Sequence, residues 1–202
     1  MTIKAIFFDL GNVLLDIDWS MILKDLLGKT GLKREEIGPR FMNAGFEEYE
    51  LGHLSTETFF GNLKNSLGYL GDVKELVRIC TEIFVPISEN INLAHELRRR
   101  YRLGIISNTN AAHVAWFTKK YDMFDMFDVR IYSNEVHLRK PNRAIYELAL
   151  EAFDVAATES VFIDDLEENT VAAAQLGMRA IQFGPDTSLR HALSDLLGEK
   201  NL

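Results

Sequence analysis

Disulfide bonds, an excess of basic charge and membrane-length apolar runs are all missing from this sequence. Cys80 is the single cysteine, so no disulfide can form within the chain. The 22 Lys and Arg residues are outnumbered by 30 Asp and Glu residues, and the net charge of -8 repels polyanions such as nucleic acids. No apolar run is long enough to span a bilayer, and Met1 to Lys4 leads directly into the first predicted strand. We therefore expect a soluble, cytoplasmic protein that binds neither nucleic acid nor membranes.

The composition is otherwise that of a globular protein. Hydrophobic residues make up 47% and charged residues 26% of the 202 positions. This length is enough for one domain with a full core, or for a core domain that carries a smaller insertion. The five histidines do not have the spacing of zinc ligands, so none is assigned to a metal.

Five apolar segments have the length and composition of strands, and segments of helical periodicity lie between several of them. Helical spacing is clearest in residues 90–101 and 144–153. Strands that alternate with helices predict an α/β fold with a doubly wound, mostly parallel sheet. The predicted strands begin at Ala5 and cover 102–107, 129–132, 160–164 and 179–183.

The middle of the chain breaks this alternation. It contains amphipathic segments, such as 21–27 and 59–67, but no convincing strand. Because this part leaves and returns near the carboxyl end of the first strand, we expect it to form a helical cap that moves over that edge of the sheet. The predicted domains are a core of residues 1–15 and 86–202 and a cap of residues 16–85.

Polar side chains follow four of the predicted strands. Asp9 follows the first, Ser107 ends the second, Lys140 lies in the loop after the third, and Asp164 and Asp165 close the fourth. Each position alone is also compatible with a turn, a helix cap or a solvated loop. The carboxyl ends of parallel strands meet at one edge of a sheet, however, so the five side chains are expected to converge. Their combination predicts a phosphoryl-transfer site.

In these residues and their order, the sequence resembles the haloacid dehalogenase superfamily of hydrolases. The four motifs of that superfamily match residues 5–14, residues 103–108, Lys140 and residues 161–169. The resemblance covers the predicted core from end to end and implies a Rossmann-like core with an inserted helical cap. The Asp-Leu-Gly-Asn-Val form of the first motif, together with residues 49–55, is similar to a subgroup that includes bacterial sugar 1-phosphate phosphatases, among them α-D-glucose 1-phosphate phosphatase.

The resemblance implies a role for each acidic residue. Asp9 would be a nucleophile that forms an aspartyl-phosphate, which water then hydrolyses. Mg²⁺ would be held by the Asp9 carboxylate, the Gly11 carbonyl and Asp165, with Asp164 as the second choice. Asp164 would otherwise orient Lys140 or a metal-bound water.

The remaining roles implied by the resemblance concern the phosphate group. Lys140 would neutralise part of its negative charge. Ser107 and the backbone amides of Asn108 and Asn12 would donate hydrogen bonds to the phosphoryl oxygens, as preorganised dipoles do where negative charge develops.

Gly11 departs from the pattern of the superfamily. Most of its phosphatases carry a second Asp there, which protonates the leaving group, and losing such a general acid costs about 10² to 10⁴ in rate. The departure favours a substrate with a good leaving group, such as an anomeric sugar phosphate. Alternatively, a cap residue supplies the proton, and the candidates are Glu47, Glu48, Tyr49, Glu50 and His53.

The sequence therefore predicts a Mg²⁺-dependent phosphatase of a small phosphorylated metabolite, with a sugar phosphate preferred. The alternative is a phosphometabolite-binding or interaction protein on the same fold, in which Gly11 has ended efficient turnover. A 2-haloacid dehalogenase also lacks the second Asp, but the adjacent acids Asp164 and Asp165 beside Asp9 require a cation that such chemistry does not use. The sequence makes no prediction of oligomeric state.

Overall fold

A computed structural model describes residues 2–199 of the chain. In this part, five parallel strands form the central sheet in the order β5-β4-β1-β6-β7, and two short antiparallel strands form a second sheet. The predicted doubly wound α/β sheet is therefore confirmed. The strands are β1 (Ala5–Phe8), β2 (Leu15–Ile17), β3 (Phe84–Pro86), β4 (Arg102–Ser107), β5 (Val129–Tyr132), β6 (Ser160–Asp164) and β7 (Arg179–Gln182).

The central strands are buried on both faces, as expected for a parallel sheet covered by helices. Alternate side chains of β1 point to opposite faces, so Phe7 and Phe8 contribute to two different hydrophobic clusters. Helices α9 and α10 pack on the Phe7 side, and α6, α7 and α11 pack on the Phe8 side. These helices are α6 (Ser88–Leu97), α7 (Ala111–Lys120), α9 (Arg143–Phe153), α10 (Glu167–Leu176) and α11 (Leu189–Leu197), with a short α8 (Ser133–Val136) after β5.

Five further helices lie between β2 and β3, where the sequence predicts a helical insertion. They are α1 (Trp19–Thr30), α2 (Arg34–Asn43), α3 (Phe46–Glu50), α4 (Thr56–Leu67) and α5 (Val73–Thr81). The buried side chains of this helical layer include Phe59, Phe60 and Leu63 of α4. The exact division into a core of residues 1–15 and 86–202 and a cap of residues 16–85 stays a prediction.

The expectation that residues 16–85 contain no strand is wrong at both ends of that range. β2 and β3 pair antiparallel, with Leu15 opposite Pro86 and Ile17 opposite Phe84. Three-residue strands are too short to show a recognisable alternation in the sequence. The pairing joins the two connections of the helical insertion to each other.

The turn after α3 lies directly against α8 of the core. Ser133 Oγ donates to the carbonyl of Glu50 at 2.7 Å, and His137 Nδ1 lies 2.7 Å from the carbonyl of Leu51. Gly52 has φ +71°, and a Cβ at this position would lie 2.1 Å from the Asn134 carbonyl oxygen. Only glycine fits this approach, which fixes the helical insertion beside the loop that leads to Lys140.

No helix within residues 2–199 is both long enough and apolar enough to cross a membrane.

Candidate active site

The candidate site lies at the carboxyl ends of β1, β4 and β6. The backbone amide of Asp9 donates to Ile163 of β6 at 2.8 Å, which fixes Asp9 immediately beyond the end of β1. Ser107 is the last residue of β4, and Asp164 is the last residue of β6. The parallel register therefore brings together side chains that are more than 50 positions apart in the chain.

Lys140 occupies the centre of the site. Its Nζ lies 2.8 Å from Asp9 Oδ1 and 2.6 Å from Asp164 Oδ2, and the side chain is 1% exposed. Burial lowers the pKa of Lys140, but the two carboxylates raise it by more, so the net shift is upward. The ammonium group therefore stays charged and holds two buried anions together.

Asn108 holds the backbone of Lys140. Its Nδ2 donates to the Lys140 carbonyl at 3.0 Å, and the Lys140 amide donates to Asn108 Oδ1 at 2.8 Å. These two bonds are made by the side chain, a positioning role that sequence reasoning missed. The expected donation from the Asn108 backbone amide to a phosphoryl oxygen stays a prediction.

Burial raises the pKa of the Asp9 carboxyl to about 6. The Lys140 ammonium lowers it, the Asp164 carboxylate raises it, and hydrogen bonds from Lys140 and Ser107 lower it further. Burial is the larger effect, so Lys140 offsets only part of the cost of keeping this carboxylate ionised. A cation beside Asp9 would lower that cost further.

The two adjacent acids have different surroundings. Asp164 is fully buried, and its Oδ1 accepts hydrogen bonds from the Leu166 amide and from Asn169 Nδ2, both at 2.9 Å. Its other oxygen faces Lys140, so both oxygens are engaged with protein groups. Asp165 is half-buried, and its Oδ2 accepts from Asn12 Nδ2 at 2.8 Å. This arrangement supports the expectation that Asp164 orients Lys140, and it leaves Asp165 with the freer carboxylate.

The acidic residues fit a divalent cation. Asp9, Asp164 and Asp165 each offer an oxygen, and these atoms lie within 4.8 Å of one another. Carboxylate oxygens are the ligands that Mg²⁺ prefers, and three anions this close repel one another without a cation. A cavity of about 520 Å³ adjoins Asp165 and Asn12, so water can reach the Asp165 carboxylate.

Asn12 differs from its expected role. Its backbone amide donates to the Leu15 carbonyl at 2.8 Å, so this donor is engaged within the turn. The expected donation to a phosphoryl oxygen stays a prediction. Asn12 has φ +55°, a left-handed conformation that Asn tolerates better than most residues. The turn instead presents the Asn12 side chain to Asp165.

Four of the five candidates for the missing general acid have other partners or are exposed to solvent. Glu48 and His53 are both exposed and bind each other at 2.8 Å. Glu47 is also exposed, and the Tyr49 hydroxyl is engaged with Thr56 Oγ1 at 3.0 Å and with the Ala112 amide at 3.1 Å.

Glu50 differs from Glu47 and Glu48 because its carboxyl is buried. It is 8% exposed, and its Oε2 lies 2.9 Å from Nη2 of Arg139, the residue before Lys140. Burial raises the pKa of Glu50 to about 7 against the opposing effect of Arg139, and the negative charge of Asp9 adds to the rise. The pKa of Glu50 therefore lies near neutral pH and depends on the charge of Asp9. A carboxyl with these two properties is suited to act as a general acid.

Asp9, Lys140, Asp164 and Asp165 therefore lie together at one edge of a parallel sheet. The family model described as haloacid dehalogenase-like hydrolase matches residues 3–177. The chain belongs to this family.

Relatives named as phosphatases align with nearly the whole chain. The chain is 26% identical to the sesquiterpene phosphatase astK of Aspergillus oryzae, over 98% of each protein. It is 25% identical to the D-ribitol-5-phosphate phosphatase of Bacteroides thetaiotaomicron, over 96% of this chain and 98% of that one. With the family match, these relatives identify the protein as a phosphoric monoester hydrolase.

The fold is also found in solved structures. A haloacid dehalogenase family enzyme of Bacteroides thetaiotaomicron, crystallised with magnesium and inorganic phosphate, superposes with a TM-score of 0.82. The two sequences are 24% identical, over 94% of this chain and 98% of that one.

Proposed function

We propose that this hydrolase is a Mg²⁺-dependent phosphatase that cleaves a small phosphorylated metabolite through a covalent intermediate on Asp9. The observation that carries the proposal is the buried Asp9 carboxylate, held 2.8 Å from the Lys140 ammonium at the edge of the sheet. A carboxylate is a nucleophile without prior deprotonation, and a fixed cation beside it reduces its repulsion from phosphate.

The reaction has two steps. One Asp9 oxygen attacks phosphorus, the bond between phosphorus and the ester oxygen breaks, and the alcohol leaves with a proton. Water then attacks the aspartyl-phosphate, which restores the Asp9 carboxylate and releases inorganic phosphate. Lys140 and Ser107 contact Asp9 in the structure, so their positive charge and hydroxyl are available to the phosphoryl oxygens.

The residues that would hold Mg²⁺ are Asp9, Gly11 through its carbonyl oxygen, and Asp165, whose carboxylate has fewer protein partners than that of Asp164. When bound, the ion would supply positive charge that offsets the repulsion between the phosphate and the carboxylates. An enzyme of similar fold was crystallised with magnesium and inorganic phosphate, which supports Mg²⁺ as the ion.

Gly11 has no side chain that could move a proton to the leaving alcohol. Glu50 is the cap residue best suited to that transfer. It is buried, its pKa is about 7, and the negative charge of Asp9 contributes to that raised pKa. Its ion pair with Arg139 also connects it to the loop that carries Lys140. A role in proton transfer predicts that Glu50→Gln lowers kcat most for substrates with poor leaving groups.

The leaving-group argument from Gly11 favours a sugar phosphate, and one relative is named for the phosphate of a sugar alcohol, ribitol. Another relative is named for a sesquiterpene. The function is therefore proposed for a small phosphate monoester, with a sugar phosphate as one class of substrate to be tested.

The main experiment measures phosphate release from a panel of phosphate monoesters, with and without EDTA. We expect release to require Mg²⁺ and to disappear in Asp9→Asn. Asp125→Asn, which changes an exposed aspartate outside the site, is the matched control and should retain activity. Phosphate release that survives Asp9→Asn would reject the mechanism, and tight phosphate binding without turnover would favour the alternative of a binding protein.

A further inference from the structure

The helical cap contains an apolar cavity of about 410 Å³. It lies between α1, α2, α3 and α4 and reaches the first turn of α7 in the core. We call it the cap cavity. Most of its wall is aliphatic or aromatic, including Ile22, Ile37, Phe41, Phe46, Phe59 and Phe60.

The opening of the cap cavity is also apolar. Trp19 and Met42 line it and are 55% and 50% exposed, although both are large hydrophobic residues. Exposed apolar side chains that continue into an apolar cavity are typical of a binding site for an apolar group. Arg34 is the single charged residue in the wall formed by the described residues.

Two of the polar side chains in the wall, Asn110 and His113, are engaged with each other. Asn110 Oδ1 accepts from the His113 amide, and Asn110 Nδ2 lies 3.1 Å from His113 Nδ1. His113 Nε2 lies 2.9 Å from the carbonyl oxygen of Cys80, so the ring donates there and accepts from Asn110. Burial lowers the pKa of His113 to about 4, which keeps the ring neutral. The hydroxyl groups of a sugar would find few free partners in this wall and would lose their hydrogen bonds to water.

Two residues of the wall are close along the chain to residues of the catalytic site. Asn110 is three residues beyond Ser107, in the loop that leads from β4 into α7. Tyr49 of the wall precedes Glu50, which contacts Arg139 beside Lys140. The wall itself includes Asn110 and His113 of the core beside residues of the cap, so a molecule with its phosphate at Asp9 and its body in the cap cavity would contact both parts.

The volume of the cavity sets the size of the occupant. A methylene group takes up about the volume of one water molecule in the liquid, about 30 Å³. A cavity of about 410 Å³ therefore accommodates a hydrocarbon body of roughly ten to fourteen carbon atoms.

We propose that the cap cavity binds the hydrocarbon body of the substrate, and that the physiological substrate is the phosphate monoester of a hydrophobic alcohol of this size. The inference rests on the proposed phosphatase function and specifies its substrate class. It gives the substrate an apolar body in place of a sugar, and it predicts that residues of the cap determine which phosphate monoesters are hydrolysed.

The test compares ethyl, hexyl, decyl and tetradecyl phosphate with glucose 1-phosphate, all below the concentration at which the long esters form micelles. Each methylene group that enters the cavity should raise kcat/KM by up to about fourfold. The gain should stop once the cavity is full, near decyl to tetradecyl. A flat dependence on chain length, or a higher kcat/KM for glucose 1-phosphate than for decyl phosphate, would overturn the proposal.

Two variants test whether the cap cavity causes the dependence of kcat/KM on chain length. Met42→Trp narrows the opening and should reduce the ratio of decyl to ethyl kcat/KM by tenfold or more. Phe41→Leu replaces a wall residue with a smaller one, so the cavity becomes larger and the preferred chain length should increase. Leu70→Trp is the matched control, since Leu70 is a 91% exposed apolar residue of the cap that does not line the cavity. An unchanged ratio in both cavity variants would overturn the proposal.

A binding measurement separates this inference from the phosphatase function. In calorimetry with Asp9→Asn protein, decyl phosphate should bind more tightly than ethyl phosphate and with a more negative heat-capacity change. If no ester is hydrolysed but this difference is found, the apolar site stands and the proposed catalysis fails. If esters are hydrolysed through Asp9 without any such difference, the catalysis stands and the apolar site is rejected.

Discussion

The catalytic edge of the core and the cap cavity are lined by opposite kinds of side chain, although α3 and α8 bring them together. At the edge, Lys140 is buried between the carboxylates of Asp9 and Asp164. In the cavity, aromatic and aliphatic side chains form most of the wall, and Asn110 and His113 bond to each other. The edge therefore holds several buried charges, whereas Arg34 is the single charged residue among the described residues of the cavity wall. This difference underlies the proposal that the phosphate binds in one region and the apolar body in the other.

The strongest test of this comparison removes the cation of the catalytic edge. Lys140→Met leaves the buried carboxylates of Asp9 and Asp164 facing each other, and breaking a buried pair costs about 3 to 5 kcal/mol. We expect kcat to fall at least about 10³-fold and the urea midpoint to fall with it. Lys119→Met, at an exposed lysine, is the control and should change neither quantity. A stable and active Lys140→Met protein would contradict the account of the edge.

The next test separates the two acids. Asp165→Asn should raise the Mg²⁺ concentration needed for half-maximal activity by about 10-fold to 100-fold, with little change in the free energy of unfolding. Asp164→Asn should instead lower that free energy by about 1 to 3 kcal/mol, because the amide removes the buried carboxylate oxygen that accepts from Lys140 Nζ. The measurements are a Mg²⁺ titration of activity and urea denaturation. The opposite pattern would make Asp164 the main metal ligand.

Glu50, at the junction of the two regions, should make stability depend on pH. Its pKa is raised from 4.5 to about 7 by burial, so folding favours the protonated acid. The stabilisation is complete below pH 4.5 and is lost as the pH rises through 7. Relative to Glu50→Gln, the free energy of unfolding of the native protein should therefore fall by at most about 3 kcal/mol over this interval. If the free energies of unfolding of the two proteins change in parallel between pH 4.5 and 7, Glu50 does not titrate in that interval.

The catalytic edge could be predicted from the sequence because each of its charged groups directly follows an apolar strand or lies in the loop beyond one. Asp9, Asp164 and Lys140 therefore converge in any parallel sheet with this strand order. The side-chain contacts of Asn108 with Lys140 and of Asn12 with Asp165 could not be predicted, because they depend on loop geometry that leaves no periodic pattern.

The cap cavity could not be predicted either. Phe41, Phe46 and Phe59 have the pattern of ordinary core residues, and only the packing of the helices decides whether a space remains between them. The contact of Glu50 with Arg139 could not be predicted, because 89 positions separate the two residues and no sequence pattern indicates that they are neighbours.

The smallest expected effect tests the contact that holds the two regions together. Gly52→Ala places a Cβ 2.1 Å from the Asn134 carbonyl oxygen, so α3 must move away from α8. Gly68→Ala is the matched control, because Gly68 also has a positive φ but has open space around its Cβ position. Both changes carry the cost of alanine in the left-handed region, and Gly52→Ala should cost about 1 to 3 kcal/mol more in urea denaturation. Since α3 carries both Phe46 of the cavity and Glu50, the same variant should also reduce the preference for decyl over ethyl phosphate. Equal losses in the two variants, with the preference unchanged, would show that the cap does not depend on this contact.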